Sequence, residues 1–211
     1  MSLMVRDNGG GDFKKLPPGA HFALCNAVVD VGMQPGYQGG KAQHKVYIRW
    51  EVPDERVEFT KDGQTKVGPM SIGRFYTLSL NEKAALRADL ENWRGKAFTD
   101  AELAGFDLQN LIGKACQLMV VHAESGGKTY ANIKGVMGLS RDQAARAKTA
   151  KLENTPVVFS LEDPSAQAFD ALPGWLQKKI TERLQPESQE ARTTTAETAE
   201  TAAEFDDEIP F

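Results

Sequence analysis

The chain is poor in the residues from which most reactive centres are built. Among 211 residues there are two cysteines, Cys25 and Cys116, and three histidines, His21, His44 and His122. Both cysteines lie inside apolar runs, ALCNAVV and ACQLMVV, where a free thiol behaves as a small hydrophobe. There is no CxxC pair and no HExxH, and the histidines stand at no metal-ligand spacing, so no metal site is expected. The phosphate-cradling GxxxxGK[ST] and the nucleophile elbow GxSxG are also missing. Gly39-Gly40-Lys41 and Gly126-Gly127-Lys128 read as turns followed by a cation, and Glu51 and Glu58 have no nucleophile–base signature beside them. Neither an enzyme nor a cofactor is expected. No apolar run approaches the roughly eighteen residues that span a bilayer, which argues against a membrane helix. The opening MSLMVRDNGGGDF lacks an apolar stretch of signal-peptide length, so the expected location is cytoplasmic.

What the chain does have is strand-forming sequence, followed by acid. Residues 1–140 carry 17 Lys and Arg against 15 Asp and Glu, a balance of +2; residues 141–211 carry 8 against 14, a balance of −6. Within the last stretch, 185–211, one Arg faces eight acids. A near-neutral body with an acidic arm suits a nucleic-acid handler that also recruits partners, or simply a solubilised chain end.

Residues 1–18 read as a flexible leader. GAHFALCNAVVDVGM (19–33) is a long strand bounded by Pro17-Pro18 and Pro35-Gly36. In HKVYIRWEV, Val46, Ile48, Trp50 and Val52 alternate with Lys45, Tyr47, Arg49 and Glu51, the period of a strand with one buried face. Asp62-Gly63 marks a hairpin turn, and MSIGRFYTLSL is a third strand. The period then changes: Leu86, Leu90 and Trp93 recur at helical spacing, Ser79 and Glu82 fit a capping box, and Gly95 is placed to end the helix. A short helix or turn with Phe106, Leu108 and Leu111 precedes two more strands, ACQLMVVHAE and KTYANIKGVMGL. Three strands, a helix and two strands over 19–140 is the element order of the OB-fold, a five-stranded, partly open barrel. The expected class is therefore mainly β, a β-barrel with a helix. Residues 141–184 read as a linker with a short amphipathic helix after Pro173-Gly174, carrying Leu176, Ile180 and Leu184 four apart. Residues 185–211, dominated by Thr, Ala, Glu, Ser and Gln, read as a disordered acidic tail.

A single strand of nucleic acid needs cations for its phosphates and flat rings for its bases. Lys45, Tyr47 and Arg49 supply both on the second strand; Lys128, Tyr130 and Lys134 repeat the device on the last; Arg74 and Tyr76 add to it on the third; Tyr37 and Lys41 stand in the loop between the first two. Outward strand positions also carry such residues merely because they tolerate half-burial. Trp50 and Trp93 fall on apolar faces and read as core.

The last six residues, Asp206, Asp207, Glu208, Ile209, Pro210 and Phe211, resemble the acidic tip of bacterial single-stranded DNA-binding proteins, which typically ends Asp-Asp-Asp-Ile-Pro-Phe. That resemblance implies a tip that docks replication and repair enzymes, with Phe211 in an apolar pocket and the acids against basic residues. IGRFYTLSLNEKAALRADLENWRGKAF and LIGKACQLMVVH…GKTYANIKGVMGL resemble a group of bacteriophage-encoded, helix-destabilising single-stranded DNA-binding proteins of OB type. The resemblances imply a protein that coats single-stranded DNA with little sequence preference and recruits host or phage replication and repair proteins, with room for a homo-oligomer. The alternative is an adaptor whose barrel binds protein rather than nucleic acid.

Overall fold

The computed structural model describes residues 14–36, 39–61 and 63–185. The leader up to residue 13, Tyr37 and the acidic tip at 206–211 lie outside the described residues. Five strands, β1 (Gly19–Gln34), β2 (Gln43–Lys61), β3 (Gln64–Thr77), β4 (Ala115–Ser125) and β5 (Lys128–Met137), form a curled antiparallel half-barrel in the order β3-β2-β1-β4-β5. The helix α1 (Ala85–Arg94) falls between β3 and β4, followed by α2 (Asp100–Ala104) and a 3-10 turn, Leu108–Leu111. After β5 come α3 (Arg141–Ala147), a short strand β6 (Val157–Phe159), α4 (Ala166–Asp170) and α5 (Gly174–Thr181).

The curl originates in β1. Its first part, Gly19 to Leu24, pairs with β4, and the stretch from Leu24 to Gln34 pairs with β2. Register breaks lie between Cys25 and Ala27 and between Asp30 and Gly32, and such bulges bend a strand and increase its twist. The first break also swaps faces. Ala23, Cys25 and Val28 enter the main core with Ile48, Trp50 and Leu118, whereas Ala27, Val29 and Val31 enter a second cluster on the other side. β1 is thus covered on both faces, which is why its sequence is a nearly continuous apolar run rather than an alternation.

That second cluster is closed by the C-terminal segment. β6 pairs parallel with β1, Ala27↔Val157 to Val29↔Phe159, along the edge that β4 leaves free. The expected amphipathic helix is α5, and its Leu176 and Ile180 are buried against Val29, Val31 and Tyr47. Gly32 shows how close the segment comes: it has φ 71°, and a Cβ there would meet Leu161 and Arg183 at under 3 Å. Residues 141–185 therefore form part of the folded body.

The seam between the end strands rests on Asp89 of α1. Its Oδ2 accepts hydrogen bonds from Arg74 Nη1 and from the Tyr76 hydroxyl, both at 2.8 Å, and its Oδ1 accepts the Val136 amide of β5 at 3.5 Å. The capping box expected from Ser79 and Glu82 does not form. α1 starts later, after Ala84, because Asn81 folds 79–84 into a turn: Ser79 Oγ accepts from Asn81 N and Asn81 Oδ1 from Lys83 N. Capping boxes occur instead at Thr99/Glu102 and Ser140/Gln143, opening α2 and α3. Gly95 ends α1 in the left-handed conformation and Gly63 turns the β2–β3 hairpin, as expected.

Candidate nucleic-acid interface

The face of β2 and β3 opposite the main core carries Lys45, Tyr47, Arg49 and Glu51 on β2, paired with Thr77, Phe75, Gly73 and Ser71 on β3. The four β2 residues meet very different surroundings. Glu51 is fully buried, its carboxylate accepting from the amides of Glu153 (2.8 Å) and Asn154 (3.2 Å) and from the side-chain amides of Asn154 (2.8 Å) and Asn26 (3.4 Å). Asn26, buried in the β1 bulge, also accepts from Arg49 Nε at 2.9 Å. A polar chain Asn154–Glu51–Asn26–Arg49 thus fixes both the covering segment and the guanidinium. Lys45 bonds Gln43 Oε1 and Thr77 Oγ1 and remains half-buried.

Tyr47 departs from the expected open stacking platform. It is buried, with its ring 4.8 Å from Phe75 and 5.4 Å from Trp175 between centroids. The ring lies across Gly73, where a Cβ would sit 2.1 Å from the Tyr47 hydroxyl oxygen, so only glycine leaves it room. Burial raises the Tyr47 pKa, with the nearby Arg49 charge opposing the rise. Arg74 and Tyr76 share a face as expected, but it is the inner one: their register partners are Ile48 and Val46, and Tyr76 is buried in the main core. Burial first, and then Asp89, raises the Tyr76 hydroxyl pKa far above its ordinary value. Both residues are tied to Asp89 at the barrel seam.

On β5, Lys128, Tyr130 and Lys134 are exposed, Tyr130 at 49%. Lys41 is exposed in the β1–β2 connection. Because β1 and β4 separate β2 from β5 in the sheet, the β2 and β5 sets do not form one contiguous row.

Two hollows follow the outer face of β2–β3. The larger, about 870 Å³, runs between the strand pair and the 153–171 segment, and Arg49, Lys66, Phe59 and Ser71 line it. The second, about 450 Å³, lies at the other end, around Phe75, Trp175, Lys178 and Lys179. Phe59 and Lys66 are both exposed and face each other across the hairpin. The groove thus combines cations with accessible rings, and its acid, Glu153, is paired with Arg56 at its rim. Sequence reading missed Phe59, Lys66, Phe75 and Trp175. The usable signal for Trp175 was its place off the Leu176/Ile180 stripe and beside two lysines.

Among the described residues no cluster of His, Cys, Asp or Glu could hold a metal ion, and no helix is long and apolar enough to cross a membrane. No protein-family model matches the chain, and no curated protein is similar enough to match it.

Proposed function

We propose that the protein binds single-stranded DNA with little sequence preference, in replication, recombination or repair, along the outer face of β2–β3. The observation that carries this reading is the groove of about 870 Å³ in which Arg49, held in place by Asn26, and Lys66 stand with the exposed ring of Phe59. Cations that track a backbone, with rings on which any base can stack, are what sequence-tolerant binding requires. The strand order β3-β2-β1-β4-β5, with a helix between β3 and β4, supports an OB-type barrel, whose second and third strands are the usual oligonucleotide face. The exposed Lys128, Tyr130 and Lys134 of β5 extend the cationic surface for a longer strand. The acidic tip Asp206 to Phe211 recruits replication and repair proteins, a reading that rests on its likeness to the bacterial tip.

The test is a titration of labelled oligo(dT) over a range of salt concentrations. Wild type binds, and replacing Arg49 and Lys66 by Ala weakens binding for every base composition and lowers the salt slope by about one for each phosphate that is no longer neutralised. A wild-type protein that fails to bind at low salt overturns the reading in favour of a protein-binding adaptor. For the tip, Phe211→Ala should abolish recovery of replication and repair proteins from nuclease-treated bacterial lysate. Equal recovery by both proteins would reduce the tail to a solubilising charge run.

A further inference from the structure

Resting on the single-strand reading, we propose that the corner built by Phe75 of β3 and Trp175, Lys178 and Lys179 of α5 is a nucleotide subsite, in which Trp175 stacks on one base and the two lysines meet the flanking phosphates. The helix appended after the half-barrel would then supply half of the binding site.

The three tryptophans have different fates. Trp50 is buried, and Trp93 packs on the core with Nε1 bonded to Ala115 O at 2.7 Å. Trp175 is 52% exposed, although the neighbouring Leu176 is buried. Its place is nonetheless firm. α5 is anchored through Leu176 and Ile180, Gln34 Nε2 donates to Val31 O and Lys179 O, and Leu184 N donates to Met33 O. An exposed aromatic ring on a rigid mount offers area without an ordering cost on binding.

The ring geometry assigns the roles. Trp175 meets Phe75 at 77° and Tyr47 at 88°, so no base can be sandwiched between these rings; it must stack on one and abut another. The Lys179 ammonium stands 5.4 Å from the Phe75 centroid, over that ring, which leaves Trp175 as the open platform. Lys178 pairs with Glu182 at 3.7 Å, with both side chains well exposed. Such a pair is weak and gives way readily to a phosphate. Phe75 and Arg49 share the outer face of the strand pair, so a strand lying in the groove leads to this corner.

Oligo(dT) and an abasic strand of equal length, titrated with anisotropy and intrinsic tryptophan emission read together, provide the test. Binding of oligo(dT) should quench wild-type emission. Trp175→Ala should bind oligo(dT) about 5- to 150-fold more weakly yet bind the abasic strand like wild type, because it removes a ring and no charge. Trp175→Phe should keep most of the affinity and lose most of the quench. Lys178→Ala with Lys179→Ala should weaken both strands and flatten the salt dependence. The corner is refuted if Trp175→Ala binds oligo(dT) as tightly as wild type, if it weakens both strands equally, or if Trp175→Phe keeps the full quench. If wild type binds neither strand, the single-strand reading itself fails.

Discussion

Removing the Glu51 side chain should detach the C-terminal segment from the sheet without touching the main core. Glu51 is the one fully buried carboxylate among the described residues, and three of its four donors come from Glu153 and Asn154, about a hundred positions away in sequence. Hydrogen bonds to a charged acceptor contribute about 1.5–3 kcal/mol each. Three of the bonds are 3.2 Å or shorter and the Asn26 bond is longer, at 3.4 Å. Against their sum stands the desolvation cost of burying the carboxylate, which Glu51→Ala no longer incurs. Asn154 is also only half-buried, so water replaces part of what it loses. The net expectation is a loss of about 3 kcal/mol, or about 6–12 °C in Tm for a domain of this size. Denaturant unfolding followed by tryptophan emission measures the loss, and limited proteolysis locates it: new cleavage should appear between residues 148 and 185, with β1–β5 still protected. Because Asn26 orients Arg49 and is itself bonded to Glu51, oligo(dT) affinity should fall as well. A Glu51→Ala protein within about 0.5 kcal/mol of wild type, with the segment still protected, would refute the clip.

Asp89→Ala should cost about 2–4 kcal/mol, because it leaves the Tyr76 hydroxyl and Arg74 without their acceptor beneath α1, and Tyr76→Phe should cost less, since Arg74 still satisfies Asp89; equal losses in denaturant melts would contradict this. Acid should destabilise the fold: Arg146 holds the Asp54 pKa below its ordinary value, Arg87 that of Glu91, the Thr99 amide that of Glu102, and Arg56 that of Glu153. A depressed carboxylate contributes stability that is complete above its unfolded pKa and is lost as pH falls through the folded value, so melting temperature should be flat near neutrality and drop below about pH 4. The Arg146–Asp54 and Arg56–Glu153 pairs are exposed, so added salt should reduce their share of the drop; a profile independent of salt would refute the assignment. Burial pushes the Cys25 thiol up to about 12 and raises Cys116 well above its ordinary value; neither should react with a thiol reagent until guanidine unfolds the protein, and rapid labelling of the native protein would count against their burial.

Local pattern carried the half-barrel because each strand's signal is local: alternation in β2, a continuous apolar run in β1, Asp-Gly at the hairpin, and a change of period at α1. The fate of the outer face of β2 was not local. Lys45, Tyr47, Arg49 and Glu51 have the same parity, and nothing nearby tells that the middle pair will lie under or beside a segment more than a hundred residues away while Glu51 is sealed by it. A buried glutamate on an outward row is visible only when Asn154 is placed opposite. Tyr47 was therefore displaced by tertiary packing against α5, while Lys128, Tyr130 and Lys134 on β5 stayed exposed.

The Phe75-Tyr76 pair shows where more could have been read. Polarity alone sends the phenylalanine inward and the tyrosine outward, and the structure does the reverse. Met70 and Ile72 are buried, which sets the inward parity of β3 and carries through Arg74 to Tyr76. Asp89, on the helix face beside Leu86 and Leu90, then supplies the acceptor that a buried hydroxyl requires. With Tyr76 committed inward, Phe75 must face outward, opposite Tyr47. An outward aromatic pair on β2–β3, together with a tryptophan that stands off the apolar stripe of the amphipathic segment after the barrel, could have located the aromatic corner from residues alone. What the sequence could not supply is the bulge between Cys25 and Ala27 that turns Ala27, Val29 and Val31 outward. Without that apolar patch α5 has nothing to dock on, and Trp175 would not stand beside Phe75.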